Sequence, residues 1–343
     1  MLPVRPRHTV ALLLSSLWLL GGCSSSDSPP EDNPPLLGFD ESTRKPLFPS
    51  GAPWNQDVSS APVDSQSSAV IAYMQSRGWG FGRMQIDFSI ELLVADENTP
   101  MRTFQPTEDF YEGECDAVPV PVPPGGFLEG EEGYRCTSDG DCHLLVLHKP
   151  SRKLYEQWRV DIAGSTYRGG CLAVWDLTRV YPPEGRGTDC TSADAAGLPI
   201  APLLFDADEV AAGEIRHAIR FILPNDRIRH ATYVHPATHA TRAASGGTNA
   251  PPYGARLRLR ADYPVDSLPT AGARVVARAL QRYGMFLADG GNITLTAQSD
   301  RLTTAKWAGL LGPRDLQALQ PQDFQLVQAG PRFTWEGECV RTP

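Results

Sequence analysis

The stretch Gly213–Pro224, GEIRHAIRFILP, sets Glu214, Arg216, His217 and Arg220 into a segment that otherwise reads as a β-strand. Side chains alternate across a strand, so Glu214, Arg216 and Arg220 share one face and His217 shares the other with Ile215, Ile219 and Phe221. An Arg–Glu–Arg face suits solvent as an ion-pair ladder. It also suits an acidic ligand, because a guanidinium pairs with a carboxylate through two parallel hydrogen bonds. His217, walled by isoleucines, fits a buried imidazole bonded to backbone or a carboxylate; in a cleft it would serve as general acid or base. His235 and His239 have the i, i+4 spacing of two ligands on a helix face, but Pro236 and the β-like ATYV before them argue against a helix. No metal is expected there, and His239 reads as a loop histidine near a pocket. Arg220, Arg256 and Tyr253 are the candidates for holding an acidic substrate group.

Carboxylates supply the complementary chemistry. Asp141 and His143 begin a strand, and Glu156 and Asp176 lie on the next two. Two carboxyl groups on neighbouring strands are what glycoside hydrolysis requires, one as acid and one as base or nucleophile. The expected catalytic set is therefore His217 or His239 with Glu156 or Asp176. Asp194, in TSADAAGLP, reads as a cap or turn residue. GxSxG, HExxH and phosphate-binding glycine motifs are absent from the sequence, which disfavours serine hydrolase, zincin and NTPase chemistry. TSDGDC lacks the length and terminal Glu of an EF-hand loop. No cofactor is expected. Trp54, Trp79, Phe81 and Trp158, with Trp175, Tyr233 and Tyr253, are either core residues or sugar platforms.

These residues need a scaffold, and the sequence implies a mostly β one: a β-sandwich or jelly-roll-like domain with a few short helices and one C-terminal helix. Gly and Pro number 31 each and punctuate short strands. MQIDFSIELLVAD alternates as one half-buried strand with Met84, Ile86, Phe88, Ile90, Leu92 and Val94 on a single face. HLLVLHKPSRKLYEQWRVD reads as two strands joined at Lys149–Ser151, and CLAVWDLTRV and GARLRLRADYPV as further strands. DADEVAAG fits a short helix capped by Asp206 or Asp208 and stopped by Gly213. TAGARVVARALQRYG carries a helical apolar stripe of Val275, Val276, Ala279, Leu280 and Tyr283. MFLADGGNITLTAQ reads as a hairpin around Asp289–Asn292.

The N-terminus speaks to location. Arg5 and Arg7 precede an apolar run, Thr9–Leu20, too short to span a bilayer comfortably. Leu20-Gly21-Gly22-Cys23 resembles the bacterial lipoprotein box, which implies cleavage after residue 22 and lipidation of Cys23. Ser24, where an Asp would favour inner-membrane retention in a Gram-negative lipoprotein, implies the outer membrane. Residues 23–46 read as a Ser/Pro/acid-rich tether and 47–343 as one β-rich domain. From LFPSGAPWNQDVSSAPVD through TSADAAGLPIAPLLFDADEVAAGEIRHAIRF and PPYGARLRL to ALQRYGMFLADGG, the chain resembles a family of exported bacterial proteins. That resemblance implies a domain unit and no mechanism.

Cysteine usage agrees with export. Beyond Cys23 there are six cysteines, an even number without CxxC spacing, which implies three disulfides and not a zinc site. Of fifteen possible connectivities, the spacing suggests Cys136–Cys142, Cys171–Cys190 and Cys115–Cys339. With 40 acidic against 31 basic residues the chain has a net charge of −9, so nucleic acid is not an expected partner. The sequence thus leads to an exported, lipid-anchored envelope protein that binds or cleaves polysaccharide, or else to a non-enzymatic binding or assembly lipoprotein.

Overall fold

The computed structural model describes residues 45–138 and 140–341; the lipobox and most of the tether lie outside them. The continuous apolar run Leu144–Leu147 is the first clue to the architecture. All four side chains are fully buried, so this strand has a packed core on each face. Four strands make up its sheet: β2 (Leu92–Ala95), β3 (Leu144–His148), β4 (Lys153–Gln157) and β5 (Leu172–Asp176). Their order is β5-β4-β3-β2, with β3 and β4 forming the expected hairpin and β2 running parallel to β3. Leu145, Leu147, Leu154 and Trp175 face the main core, while Leu144, Val146, Tyr155 and Leu172 face a smaller one with Phe104 and Tyr167.

A six-stranded sheet closes the other side of the main core. Its strands are β1 (Ile86–Ile90), β6 (Ile219–Leu223), β7 (Arg256–Leu259), β8 (Met285–Gly290), β9 (Leu295–Gln298) and β10 (Phe324–Leu326), in the order β1-β9-β6-β8-β7-β10. Phe221, Leu257, Leu287 and Leu295 pack into the same core as Leu147 and Trp175, which gives the mostly β, sandwich-like fold. Three helices brace it: α1 (Ser67–Arg77), α2 (Ala207–Ala212) and α3 (Ala271–Arg282). In α2, Asp206 and Glu209 form a reciprocal capping box and Gly213 (φ 86°) ends the helix in the left-handed region. In α3, Thr270 caps the Ala273 amide, and Val276 and Leu280 are fully buried.

Three local expectations change. MQIDFSIELLVAD is not one strand: it breaks at Glu91, and β1 and β2 enter different sheets. Beyond the break every residue is buried, which erases the alternation. Met285–Gln298 is not a hairpin, because β6 lies between β8 and β9, pairing parallel to the first and antiparallel to the second. The opening segment is strand only from Ile219 onward, so the supposed ladder divides. Arg216 pairs with Glu214 at 2.8 Å in solvent, while Arg220 turns into the protein.

The disulfides are Cys115–Cys171, Cys136–Cys142 and Cys190–Cys339, so one of the three expected pairs forms and the other four cysteines exchange partners. Backbone ladders explain the exchange. Gly187–Thr188 pairs with Val340–Arg341, which carries Cys339 to Cys190. The Asp116 amide bonds the Leu172 carbonyl at 2.8 Å and so aligns Cys115 with Cys171. The bridges place the described chain in an oxidising, extracytoplasmic setting. No helix among the described residues is long and apolar enough to cross a membrane.

Candidate active site

Arg220, the second residue of β6, points its guanidinium between the neighbouring strands β8 and β9. It donates to both Asp194 oxygens (Nε to Oδ2 3.0 Å, Nη2 to Oδ1 2.9 Å), to Thr296 Oγ1 of β9 at 2.8 Å and to Asp289 Oδ2 of β8 at 3.2 Å. Asp194 arrives from the turn TSADAAGLP. Its amide donates to Ser192 Oγ at 3.0 Å, and its carbonyl accepts from the amide of Gly197, whose φ of 73° is unfavourable for any other residue. The turn is thus a device that aims a carboxylate at Arg220.

One guanidinium therefore serves two carboxyl groups. Asp194 takes the bidentate contact, the stronger geometry for a guanidinium–carboxylate pair. Asp289 has the single contact. Burial, and next the negative charge of Asp194, push its pKa well above the usual carboxylate range against the pull of Arg220. That is the direction expected of the carboxyl group that keeps its proton longer beside a charged neighbour.

Behind the pair lies a second buried charge system. His143 Nδ1 is 2.6 Å from Glu129 Oε2, and its Nε2 is 3.0 Å from the carbonyl oxygen of Ala193. Both ring nitrogens face acceptors, so both carry protons. Burial pulls the imidazole's pKa down, but the Glu129 carboxylate outweighs it and lifts the value to about 9. The imidazolium thereby grips the peptide next to Asp194.

In front of the pair opens a cleft of about 560 Å³. Asp194, Asp289 and Gly290 form part of its floor, and Trp158, Tyr111, Tyr253 and Trp335 supply aromatic wall. Asp141 stands on the rim and accepts a hydrogen bond from Trp158 Nε1 at 2.9 Å. His239 also faces the cleft. Its Nδ1 donates to the Ala195 carbonyl at 2.6 Å, which fixes the tautomer and leaves Nε2 as an acceptor. Burial draws its pKa down to about 4, so the ring is neutral at neutral pH.

Of the residues singled out from sequence, His239, Tyr253, Asp141, Asp194 and Trp158 line this cleft and Arg220 lies beneath its floor. The others sit elsewhere. His217 is fully buried, bonding the Ala218 carbonyl through Nδ1 (2.8 Å) and Glu209 through Nε2 (3.2 Å), which ties α2 to β6. Glu156, also fully buried, accepts from the Ile200 and Ala201 amides and from Trp175 Nε1, and burial pushes it up to about 7. Asp176 caps a surface turn through Thr178. Arg256 spends its donors on the carbonyls of Tyr283, Pro53 and Gln56 over the ring of Phe286. Among the described residues, one group has metal-ligand proximity, Glu131 with Cys136 and Cys142, and its two sulfurs are joined in a disulfide.

Sequence reasoning passed over Asp289, Glu129, Arg242 and Trp335 as site residues. Asp289 and Asp194 share one signal: each stands among Gly and Ala, in LADGG and SADAAG. Small neighbours leave room for a ligand beside the carboxyl group. No protein-family profile, curated protein or solved structure matches this chain.

Proposed function

We propose that this chain is an exported, lipid-anchored envelope protein that binds polysaccharide in the cleft and hydrolyses it by acid–base catalysis. The carrying observation is the Asp194–Arg220–Asp289 arrangement at the floor of an aromatic-walled cleft. In this reading Asp289 is the general acid. It gives its proton to the glycosidic oxygen as the bond from that oxygen to the anomeric carbon breaks. His239 Nε2 accepts a proton from the water whose oxygen attacks the same carbon, as in inverting hydrolysis. Arg220 fixes Asp194 through two hydrogen bonds, and the negative charge of Asp194 helps Asp289 keep its proton before each turnover. Aromatic faces suit the apolar faces of sugar rings, and a carboxyl-rich floor suits their hydroxyls. The signal sequence, the lipobox at Cys23 and the three disulfides support envelope placement.

A polysaccharide panel scored for new reducing ends and for unsaturated products tests this. Wild-type protein should release reducing ends from at least one polymer. Asp289→Asn, which preserves the shape of the protonated acid, should lose roughly 100-fold or more of that rate while its melting temperature stays close to wild type. Unsaturated products would replace hydrolysis with elimination. No product from any polymer would overturn catalysis and leave a binding module, and an active Asp289→Asn protein would overturn the assignment of Asp289 as the acid.

A further inference from the structure

Among the described residues, Arg242 is the one guanidinium lining the cleft. It lies over the indole of Trp335, 5.5 Å from the ring centroid. No hydrogen bond or ion pair to it is found among the described residues, and its side chain is exposed. Arg159 also lies over an aromatic ring of the cleft, 5.3 Å from the centroid of Trp158, but is not among the lining residues; three further arginines nearby are occupied. Arg220 is held by Asp194, Asp289 and Thr296, Arg186 by Asp116 and the Thr191 carbonyl, and Arg341 by Asp116 and the Glu114 carbonyl.

The platform beneath Arg242 is fixed. The Trp335 amide donates to the Ala231 carbonyl at 2.9 Å, its Nε1 bonds the Asp189 carbonyl at 3.4 Å, and the tail behind it is closed by Cys190–Cys339. A guanidinium stacked on an aromatic face keeps its planar edge and its N–H donors free for a carboxylate. The floor and rim differ in kind: Asp194 and Asp289 below and Asp141 at the edge are carboxyl groups, and none offers the paired N–H donors of a guanidinium.

We propose that Arg242 and Trp335 form a subsite for a carboxylate-bearing sugar ring. The ring packs on the cleft wall, and its carboxylate takes paired hydrogen bonds from Arg242. The cleft is then polar along its length, with an acidic sugar at the Arg242 end and an uncharged ring over Asp289, so the glycan enters in one direction. This deepens the polysaccharide reading above and rests on it.

Glucuronate and glucose, which differ by the carboxylate alone, are suitable probes, with tryptophan fluorescence of the full exported protein as the readout. Glucuronate should bind roughly tenfold tighter than glucose, the usual worth of one charge-assisted contact. Arg242→Ala should remove that difference, and Arg242→Lys should restore only part of it, because an ammonium lacks the paired donors. Equal binding of the two sugars, no saturable binding of glucuronate, or a preference that survives Arg242→Ala would each overturn the subsite. The two readings fail separately. An active Asp289→Asn enzyme removes the acid assignment and leaves the glucuronate preference in place, whereas loss of the preference alone removes the subsite.

Discussion

Arg220 shows how far one side chain's role depends on what surrounds it. On sequence it is the twin of Arg216, two strand positions removed on the same face. In the structure Arg216 pairs with Glu214 in solvent, and Arg220 neutralises carboxyl groups inside the protein. Their replacements should therefore separate sharply. Arg216→Ala should change unfolding free energy by no more than about 0.5 kcal/mol. Arg220→Ala leaves the buried Asp194 and Asp289 without their shared guanidinium, and should cost about 3–5 kcal/mol in denaturant unfolding; equal costs would mean that the buried contacts are worth no more than the exposed pair. His143 carries the matching pH prediction. It faces Glu129, with Asp141 and Arg220 close enough to act on its charge. Its folded pKa of about 9 lies above the 6.5 of a free imidazole, so the folded state holds a proton that the unfolded chain releases. That stability is complete below pH 6.5 and disappears as pH rises to about 9. Urea midpoints should fall across this window in wild type, and the slope should flatten in His143→Gln. Neither role was readable from the sequence, because Asp194 is 26 residues from Arg220 and Glu129 is 14 from His143. Only the fold joins them.

At the scale of elements, what the sequence revealed was local. The caps and stripe of α2 and α3 and the β3–β4 turn are written within a dozen residues, and all three formed as expected. What it hid was non-local. The insertion of β6 between β8 and β9 is a pairing choice made by the whole sheet, and it is this insertion that brings Arg220, Asp289 and Thr296 onto adjacent strands. The disulfide exchange has the same origin, since Cys190 and Cys339, 149 residues apart, are joined beside the ladder of Gly187–Thr188 with Val340–Arg341. That ladder also holds Trp335 and Gly337 in the cleft wall. Replacing Cys190 and Cys339 together by Ser should free the tail. Carboxypeptidase should then trim it in the folded protein, and fluorescence titration should show weaker sugar binding. The bridge itself should be worth about 2–5 kcal/mol of stability. A double variant with an untrimmed tail and unchanged binding would show that backbone pairing alone secures the wall.

At the scale of the molecule, the three bridges account for all six cysteines beyond Cys23. That leaves Cys23 as the one thiol available for another purpose, which accords with lipidation. Cys23→Ser should abolish labelling by a fatty-acid analogue and leave the protein soluble or as an unprocessed precursor; persistent labelling would remove the lipobox assignment.

The same bridges also decide how the chain would behave under tension. Under the anchored, polysaccharide-binding function proposed above, the chain would be pulled whenever membrane and polymer move apart. Cys190–Cys339 joins residues 149 apart in sequence and Cys115–Cys171 residues 56 apart, and both spans are closed to extension while the sulfurs remain joined. The cleft floor, Asp194 through Asp289, lies wholly inside the larger loop. Force applied at the two ends can peel residues before Cys115 and between Cys171 and Cys190, but it reaches the floor only by shearing a covalently closed ring. In single-molecule pulling, reduction should therefore add the contour of both loops to the extension, and before reduction that length should remain hidden.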